Sequence, residues 1–118
     1  MSVAFVTSAY SRDWPVVLAP DRFRMNVASS RHAFTWRLVV LNNFRDEREF
    51  RSAELAAQRL VANGLADAFI HAPTYLTDER LLGLGIAPKT FWAANPFFST
   101  SHLAALDYLR GQTEWMFF

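Results

Sequence analysis

The chain of 118 residues contains no cysteine. Disulfides, thiolate nucleophiles and cysteine-ligated metal sites are therefore excluded. A surplus of one charge is missing as well, because 12 basic and 11 acidic residues leave a formal net charge of +1. Nucleic-acid-binding proteins usually carry a clustered basic surplus. We therefore expect no nucleic-acid partner.

Long uncharged apolar runs are also missing. Residues 1–6 have no basic segment, and their apolar run is interrupted at Thr7 and Ser8. Nowhere does a run reach the roughly 20 apolar residues that a membrane-spanning helix needs. The sequence predicts no membrane span, and the cytoplasm is the simplest location.

Apolar residues make up 52% of the chain, which is enough to build the core of one domain, residues 1–118. Four short apolar runs predict β-strands, at 3–7, 36–41, 67–72 and 114–118. Helical patterns lie between them, at 22–32, 47–63 and 99–109. The order β-α-β-α-β-loop-α-β predicts an α/β fold with a mostly parallel sheet, flanking helices and a Rossmann-like arrangement.

Local signals set the expected helix ends. Asp21 and Ser99 are predicted N-caps, and Gly64 and Gly111 are predicted stops. Residues 73–98 are rich in proline and glycine, which predicts a mostly irregular excursion with one short helix at 78–82.

The last predicted strand places four large apolar residues, 115–118, beside the terminal carboxylate. Such a charge is unfavourable in or beside a core. We therefore expect residues 1–118 to be the N-terminal part of a larger domain. The alternative is a small non-catalytic α/β module that binds a partner, or a second copy of itself, through this strand.

Polar residues follow the predicted strands where a ligand would bind, because open parallel sheets bind ligands beyond the carboxyl ends of their strands. They are Thr7, Ser8, Tyr10, Ser11 and Arg12 after the first strand, Asn42, Asn43, Arg45 and Asp46 after the second, and Ser99, Thr100, Ser101 and His102 at the start of the last helix. This set suits a nucleotide or a phosphorylated metabolite.

Three segments, in order, resemble GT-A glycosyltransferases, particularly glycosyltransferase family 2. Residues 3–12 resemble the first strand and its Pro-Thr-Tyr-Asn-Arg-like turn, with Tyr10 and Arg12 at the family spacing. Residues 39–47 are similar to the second strand and its Val-Val-Asp-Asp-Gly-Ser-x-Asp loop. Residues 95–118 are similar to the Asn-x-Gly-x-x-x-Ala-x-Asn-x-Gly helix and the strand that leads to the metal-binding Asp-x-Asp.

The resemblance implies the N-terminal, nucleotide-sugar-binding half of a GT-A fold, in an enzyme that transfers a sugar to an acceptor hydroxyl. The nucleotide-diphosphate sugar is then expected to contact Ser8, Tyr10, Arg12, Asn42, Asn43 and His102. The family's divalent metal, Mg or Mn, belongs to the full-length enzyme, because this chain has neither the Asp-x-Asp motif nor the catalytic base. We expect no catalytic residue, no bound metal and no transfer by this chain alone.

This sequence departs from the family pattern at three positions. Asn42 and Asn43 replace two acids, and Phe97 stands where glycine is usual. An amide still recognises a uracil edge or a ribose hydroxyl, but it supplies no negative charge. Asn42 and Asn43 are alternatively a simple turn, since Asn tolerates left-handed backbone.

Other interpretations stay open for the remaining candidates. Tyr10 stacks on a base or lies at the rim of the core, and Arg12 binds phosphate or is solvated. His102 contacts phosphate or packs at the helix start. His32, His71 and His102 lack the spacing of a helical metal site, and no Gly-x-Ser-x-Gly or complete dinucleotide loop is present.

Overall fold

The structure is a computed structural model that describes residues 2–29, 33–94 and 97–117. Its strands are β1 (Val3–Ala9), β2 (Trp36–Leu41), β3 (Ala68–His71) and β4 (Trp115–Phe117). Its helices are α1 (Trp14–Val17), α2 (Pro20–Ala28), α3 (Glu47–Ala62), α4 (Ala72–Tyr75), α5 (Asp78–Gly83), α6 (Pro88–Ala93) and α7 (Phe97–Tyr108).

The four strands form one sheet in the order β3-β2-β1-β4, and every neighbouring pair is parallel. Val6 lies opposite Leu38, and Val40 lies opposite Ile70. The chain moves outward from β1 to β3 and then returns to place β4 on the other side of β1. The predicted α/β class with a parallel sheet and flanking helices is therefore confirmed.

Side-chain alternation along the strands builds a core on each face of the sheet. On one face, Val6, Leu38 and Val40 pack with residues of α4, α5 and α7, including the buried Leu81 and Ala105. On the other face, strand residues that include Phe5 and Val39 pack with Phe23 of α2 and Leu60 of α3. Two helical layers thus enclose β1 and β2, which explains why both strands read as continuous apolar runs.

Helix α3 shows how the sequence determines one of these layers. Asp46 caps its start by accepting a hydrogen bond from the backbone N–H of Glu49 at 2.8 Å. Ala53, Ala57 and Leu60 recur at helical spacing and are fully buried. Gly64, at a φ of 73°, follows the last turn. The predicted helix at 47–63 agrees with the observed one to within a residue.

The region after β3 corrects the sequence analysis. The described residues between β3 and α7 form three short helices, α4, α5 and α6, instead of the mostly irregular excursion predicted at 73–98, and only α5 was predicted. Pro73 and Pro88 lie in the first turns of α4 and α6, where the missing proline N–H costs nothing. The proline content of this region predicts irregular structure, whereas at these two positions the prolines start helices.

Several predicted boundaries also move. Strand β1 continues to Ala9, and α2 begins at Pro20, with Asp21 inside its first turn. Helix α7 begins at Phe97, so Ser99 is inside the helix and is not its cap. The predicted helix at 22–32 ends in residues 30–32, which lie outside the described residues. Positions 95 and 118 lie outside them as well. Of the described helices, none has the length and apolar character needed to cross a bilayer.

A charged cluster ties the excursion to α7. The Tyr75 hydroxyl donates a hydrogen bond to Asp107 Oδ2 at 2.8 Å, and Arg80 approaches the same oxygen at 3.4 Å. Arg80 also lies over the Tyr75 ring, 4.3 Å from its centroid, and Arg110 contacts Asp107 Oδ1 at 3.3 Å. Burial, with the hydrogen bond and charge of Asp107, raises the pKa of Tyr75 to about 12.

This pKa predicts a loss of stability in alkali. The ordinary tyrosine pKa is 10.0, so the folded state holds the Tyr75 proton more tightly than the unfolded state does. The stability that the protonated Tyr75 hydroxyl contributes is complete below pH 10 and is lost as pH rises toward about 12. We expect the melting temperature of Tyr75→Phe to fall less steeply with rising pH over this range than that of the wild type. Equal slopes for the two proteins would contradict the assignment.

Candidate functional site

The loops after β1 and β2 lie side by side at the carboxyl edge of the sheet. The Asn42 N–H donates to the Ala9 carbonyl at 2.8 Å, and the Ser11 N–H donates to the Asn43 carbonyl at 3.1 Å. Asp13 closes the first loop by accepting from the Tyr10 N–H at 2.9 Å. Burial raises the pKa of Asp13, and its bonds to the Tyr10 and Asp13 backbones oppose that rise.

A cleft of about 560 Å³ opens at this edge, beyond the ends of β2 and β3. Its lining consists of Asn42, Asn43, Phe44, Arg45, Asp46, Glu47, Phe50, Arg51, His71, Pro73 and Thr74. The volume lies within the range of small-molecule sites. The cleft is therefore large enough for a nucleoside-sized ligand.

Three rings form an aromatic surface in the cleft. Phe44 and Phe50 meet edge to face with ring centroids 5.7 Å apart, and Phe50 and His71 lie 4.4 Å apart at a tilt. All three side chains are partly exposed. Partly exposed rings at such distances offer faces on which a planar ligand can stack.

His71 contributes to this surface as a neutral ring. Its Nδ1 lies 2.6 Å from Thr74 Oγ1. Burial lowers the pKa of His71, and a hydrogen bond to the Asn42 backbone and the charges of Glu54 and Glu47 oppose that shift. At neutral pH the imidazole is therefore uncharged and offers stacking and hydrogen bonding instead of a cation.

The charged side chains that line the cleft already have partners within the protein. Arg51 contacts Glu47 at 2.8 Å and Glu54 at 3.0 Å, and these glutamates raise its pKa. Asp46 caps α3. Arg45 contacts Glu49 Oε2 at 3.4 Å. The cleft therefore has no uncompensated block of charge.

Two of the predicted site residues are brought together beneath the cleft. Ser8 Oγ lies 2.8 Å from Ser101 Oγ, and Asn42 Nδ2 donates to the same Ser101 oxygen at 2.5 Å. These side chains link β1, β2 and α7, and the exposed fraction of Asn42 is 0%. Asn42 also lines the cleft, and its amide nitrogen bonds to Ser101, so its contact with a ligand stays a prediction.

The other predicted residues lie in different places. Asn43 is exposed and lines the cleft. Tyr10 is half-buried and Arg12 is exposed in the turn after β1, and neither lines the cleft. His102 is exposed on α7, directly after Ser101. Tyr10, Arg12 and His102 therefore lie outside the lining, so their ligand contacts stay predictions.

Sequence reasoning missed the aromatic and third-strand residues of the cleft. Phe50 lies within the predicted helix at 47–63 and His71 within the predicted strand at 67–72, and neither was among the residues expected to bind ligand. The useful signal was positional, because His71 is the last residue of β3 and so lies at the same edge as the two polar loops.

The metal prediction has no test here. Among the residues that the structure describes, no three histidine or acidic side chains are grouped closely enough to hold a metal ion. The predicted Mg or Mn belongs to a motif that the sequence does not contain.

The chain was compared with known proteins at three levels. No family model, curated protein or solved structure matches it, and membership of the glycosyltransferase family therefore stays a prediction.

Proposed function

We propose that this chain binds a nucleotide-diphosphate sugar at the carboxyl edge of its sheet, as the donor-binding part of a GT-A glycosyltransferase. The observation that carries this proposal is the aromatic cleft at the ends of β2 and β3, beside the polar loop after β1. Parallel sheets of this order bind ligands at that edge.

The base occupies the cleft in this proposal. A planar base stacks on Phe50 and His71, and the exposed Asn43 amide supplies a donor and an acceptor for the base edge or the ribose. Asn42 supports the site, because its hydrogen bond to Ser101 fixes the loop that carries Asn43. The amide at position 42 thus has a structural role where the family uses an acid.

The diphosphate and sugar extend toward the first loop. Arg12 and Tyr10 follow β1, and His102 lies in the first half of α7, which starts at the same edge. Arginine suits phosphate because its planar donors match phosphate oxygens. Transfer itself requires the metal motif and the base that this sequence lacks, so the proposed activity of this chain is donor binding without turnover.

Calorimetric titration with UDP, GDP and ADP tests the proposal. We expect one of these to bind, and Phe50→Leu and Asn43→Ala each to weaken it about fivefold or more through lost stacking or hydrogen bonding. Trp92→Ala, which removes an exposed aromatic outside the cleft, is the matched control and should bind as the wild type does. Absence of binding by all three nucleotides at millimolar concentration would refute the proposal.

A second candidate function is self-association through β4. Among the described residues, β4 pairs with β1 on one side and with no strand on the other. An apolar groove of about 430 Å³ lies beside it and includes Leu84, Leu103, Leu106 and Met116. Unpaired edge strands are sites of strand addition. Sedimentation of the titrated sample separates the candidates: a nucleotide-indifferent dimer favours self-association, and a nucleotide-binding monomer favours the first proposal.

A further inference from the structure

The two arginines of the cleft differ in how firmly they are held. Arg51 contacts two carboxylates, Glu47 at 2.8 Å and Glu54 at 3.0 Å. Arg45 contacts one carboxylate, Glu49, at 3.4 Å, and its Nε donates to Ser11 Oγ at 3.1 Å. Two ion pairs therefore hold Arg51 in place, whereas one long ion pair holds Arg45.

The two members of the long pair also differ in exposure. The Arg45 side chain is 77% exposed, and that of Glu49 is 15% exposed. Glu49 is retained by a second contact, because it accepts a hydrogen bond from the Ser11 hydroxyl. If the pair opens, Glu49 stays in place and the guanidinium moves.

Exchange of Glu49 for a phosphate is physically favourable. Exposed ion pairs with long contacts contribute little to stability, so opening this pair costs little. A phosphate can accept two parallel hydrogen bonds from one guanidinium, which is a stronger arrangement than the present single contact. Of the acids that line the cleft, Asp46 caps α3 and Glu47 is bound by Arg51, so both are engaged elsewhere.

We propose that Arg45 binds the phosphate of the cleft's ligand by exchanging Glu49 for it, and that Glu49 and Ser11 hold Arg45 at the cleft when no ligand is bound. The nucleotide as ligand rests on the proposed function, whereas the anion site rests only on these contacts. Arg45 belongs to the polar set that follows the second predicted strand, but it is not one of the six residues expected to contact the nucleotide-diphosphate sugar. Glu49 acts as a positioning residue.

The test is a calorimetric titration of the full chain with UDP and, separately, with inorganic pyrophosphate. Arg45→Ala should weaken both about tenfold or more, as expected for loss of a charge-assisted contact. Glu49→Gln keeps an acceptor for Ser11 but removes the competing charge, so it should tighten both ligands about twofold or more. Arg24→Ala, which removes an exposed arginine outside the cleft, should bind within about twofold of the wild type.

Glu54→Gln is the control for net charge, because it removes one negative charge from the partner of Arg51 and leaves Arg45 untouched. If Glu54→Gln raises the affinity for UDP and pyrophosphate as much as Glu49→Gln does, the proposed exchange of Glu49 for phosphate is wrong. Wild-type affinity for pyrophosphate in a folded Arg45→Ala, checked by circular dichroism, would overturn it too.

The remaining outcomes separate this inference from the proposed function. UDP binding that depends on Phe50 and not on Arg45 overturns the inference and keeps the nucleotide proposal. Arg45-dependent pyrophosphate binding without binding of UDP, GDP or ADP supports the anion site and refutes the nucleotide proposal. Failure of every ligand to bind refutes both.

Discussion

Phe23→Ala is expected to lower the free energy of unfolding by about 3 to 5 kcal/mol. Phe23 has an exposed fraction of 0% and meets Phe5 of β1 edge to face, with ring centroids 5.9 Å apart. The substitution removes the ring that joins α2 to the sheet and leaves a cavity in the second core. The free energy of unfolding of a domain of this size is only about 5 to 15 kcal/mol, so the loss is a large fraction of the total stability.

Urea denaturation followed by circular dichroism measures the effect. Met25→Ala is a matched control, because Met25 lies on the same helix, is 59% exposed and should change stability by no more than about 0.5 kcal/mol. Equal losses for the two variants would mean that α2 does not pack as described.

Asn42→Asp, which introduces the acid typical of the resembled family, is expected to destabilise the protein by about 2 to 4 kcal/mol at pH 7. Asn42 is fully buried, and its amide nitrogen donates to Ser101 Oγ at 2.5 Å. A carboxylate in that place loses its hydration and has no donor to replace the amide N–H. The geometry fits an amide, not a charge.

The same variant should show a reversed pH dependence. Burial raises the pKa of an aspartate above its unfolded value of about 3.9, so the folded state binds the proton more tightly. The variant is then closest to wild-type stability below that pH and loses stability as pH rises through the folded pKa. Asn43→Asp, at the exposed neighbouring position, is the control and should differ little from the wild type. Urea denaturation at several pH values measures the stability of both variants. The same pH dependence for Asn42→Asp and Asn43→Asp would contradict the burial of position 42.

The sheet was predictable because its signal is local. Strands β1 and β2 are covered on both faces, which requires runs such as residues 36–41 in which nearly every residue is apolar. Helix α3 was predictable for the same reason, since its cap, its buried spacing and its stop all lie within one segment. The short helices α4 and α6 were not, because a proline that breaks a helix in its interior also starts one at its first turn.

The site was only partly predictable, since its geometry depends on contacts between distant segments. Asn42 follows a strand and precedes a turn, and its sequence neighbours give no sign that its amide turns inward. The partner that turns it, Ser101, lies 59 residues away. The cleft face of Phe50 is likewise set by His71, whose position follows from the pairing of β3 with β2. Local patterns identified which loops meet, but tertiary packing decided which side chains face the cleft.

The placement of β4 also has a consequence for the order of folding. The Val3 carbonyl of β1 accepts from Thr35, at a sequence separation of 32, before β2 begins. On the other side of β1, the Glu114 N–H bonds to Ser2 at a separation of 112. The entropy lost on closing a loop grows with its length, so we expect the β1-β2-β3 unit to assemble before β4 is added to it. Until β4 pairs with residues 3–5 of β1, the backbone of that edge is open to other extended chains, so we expect this edge to be sensitive to aggregation during folding.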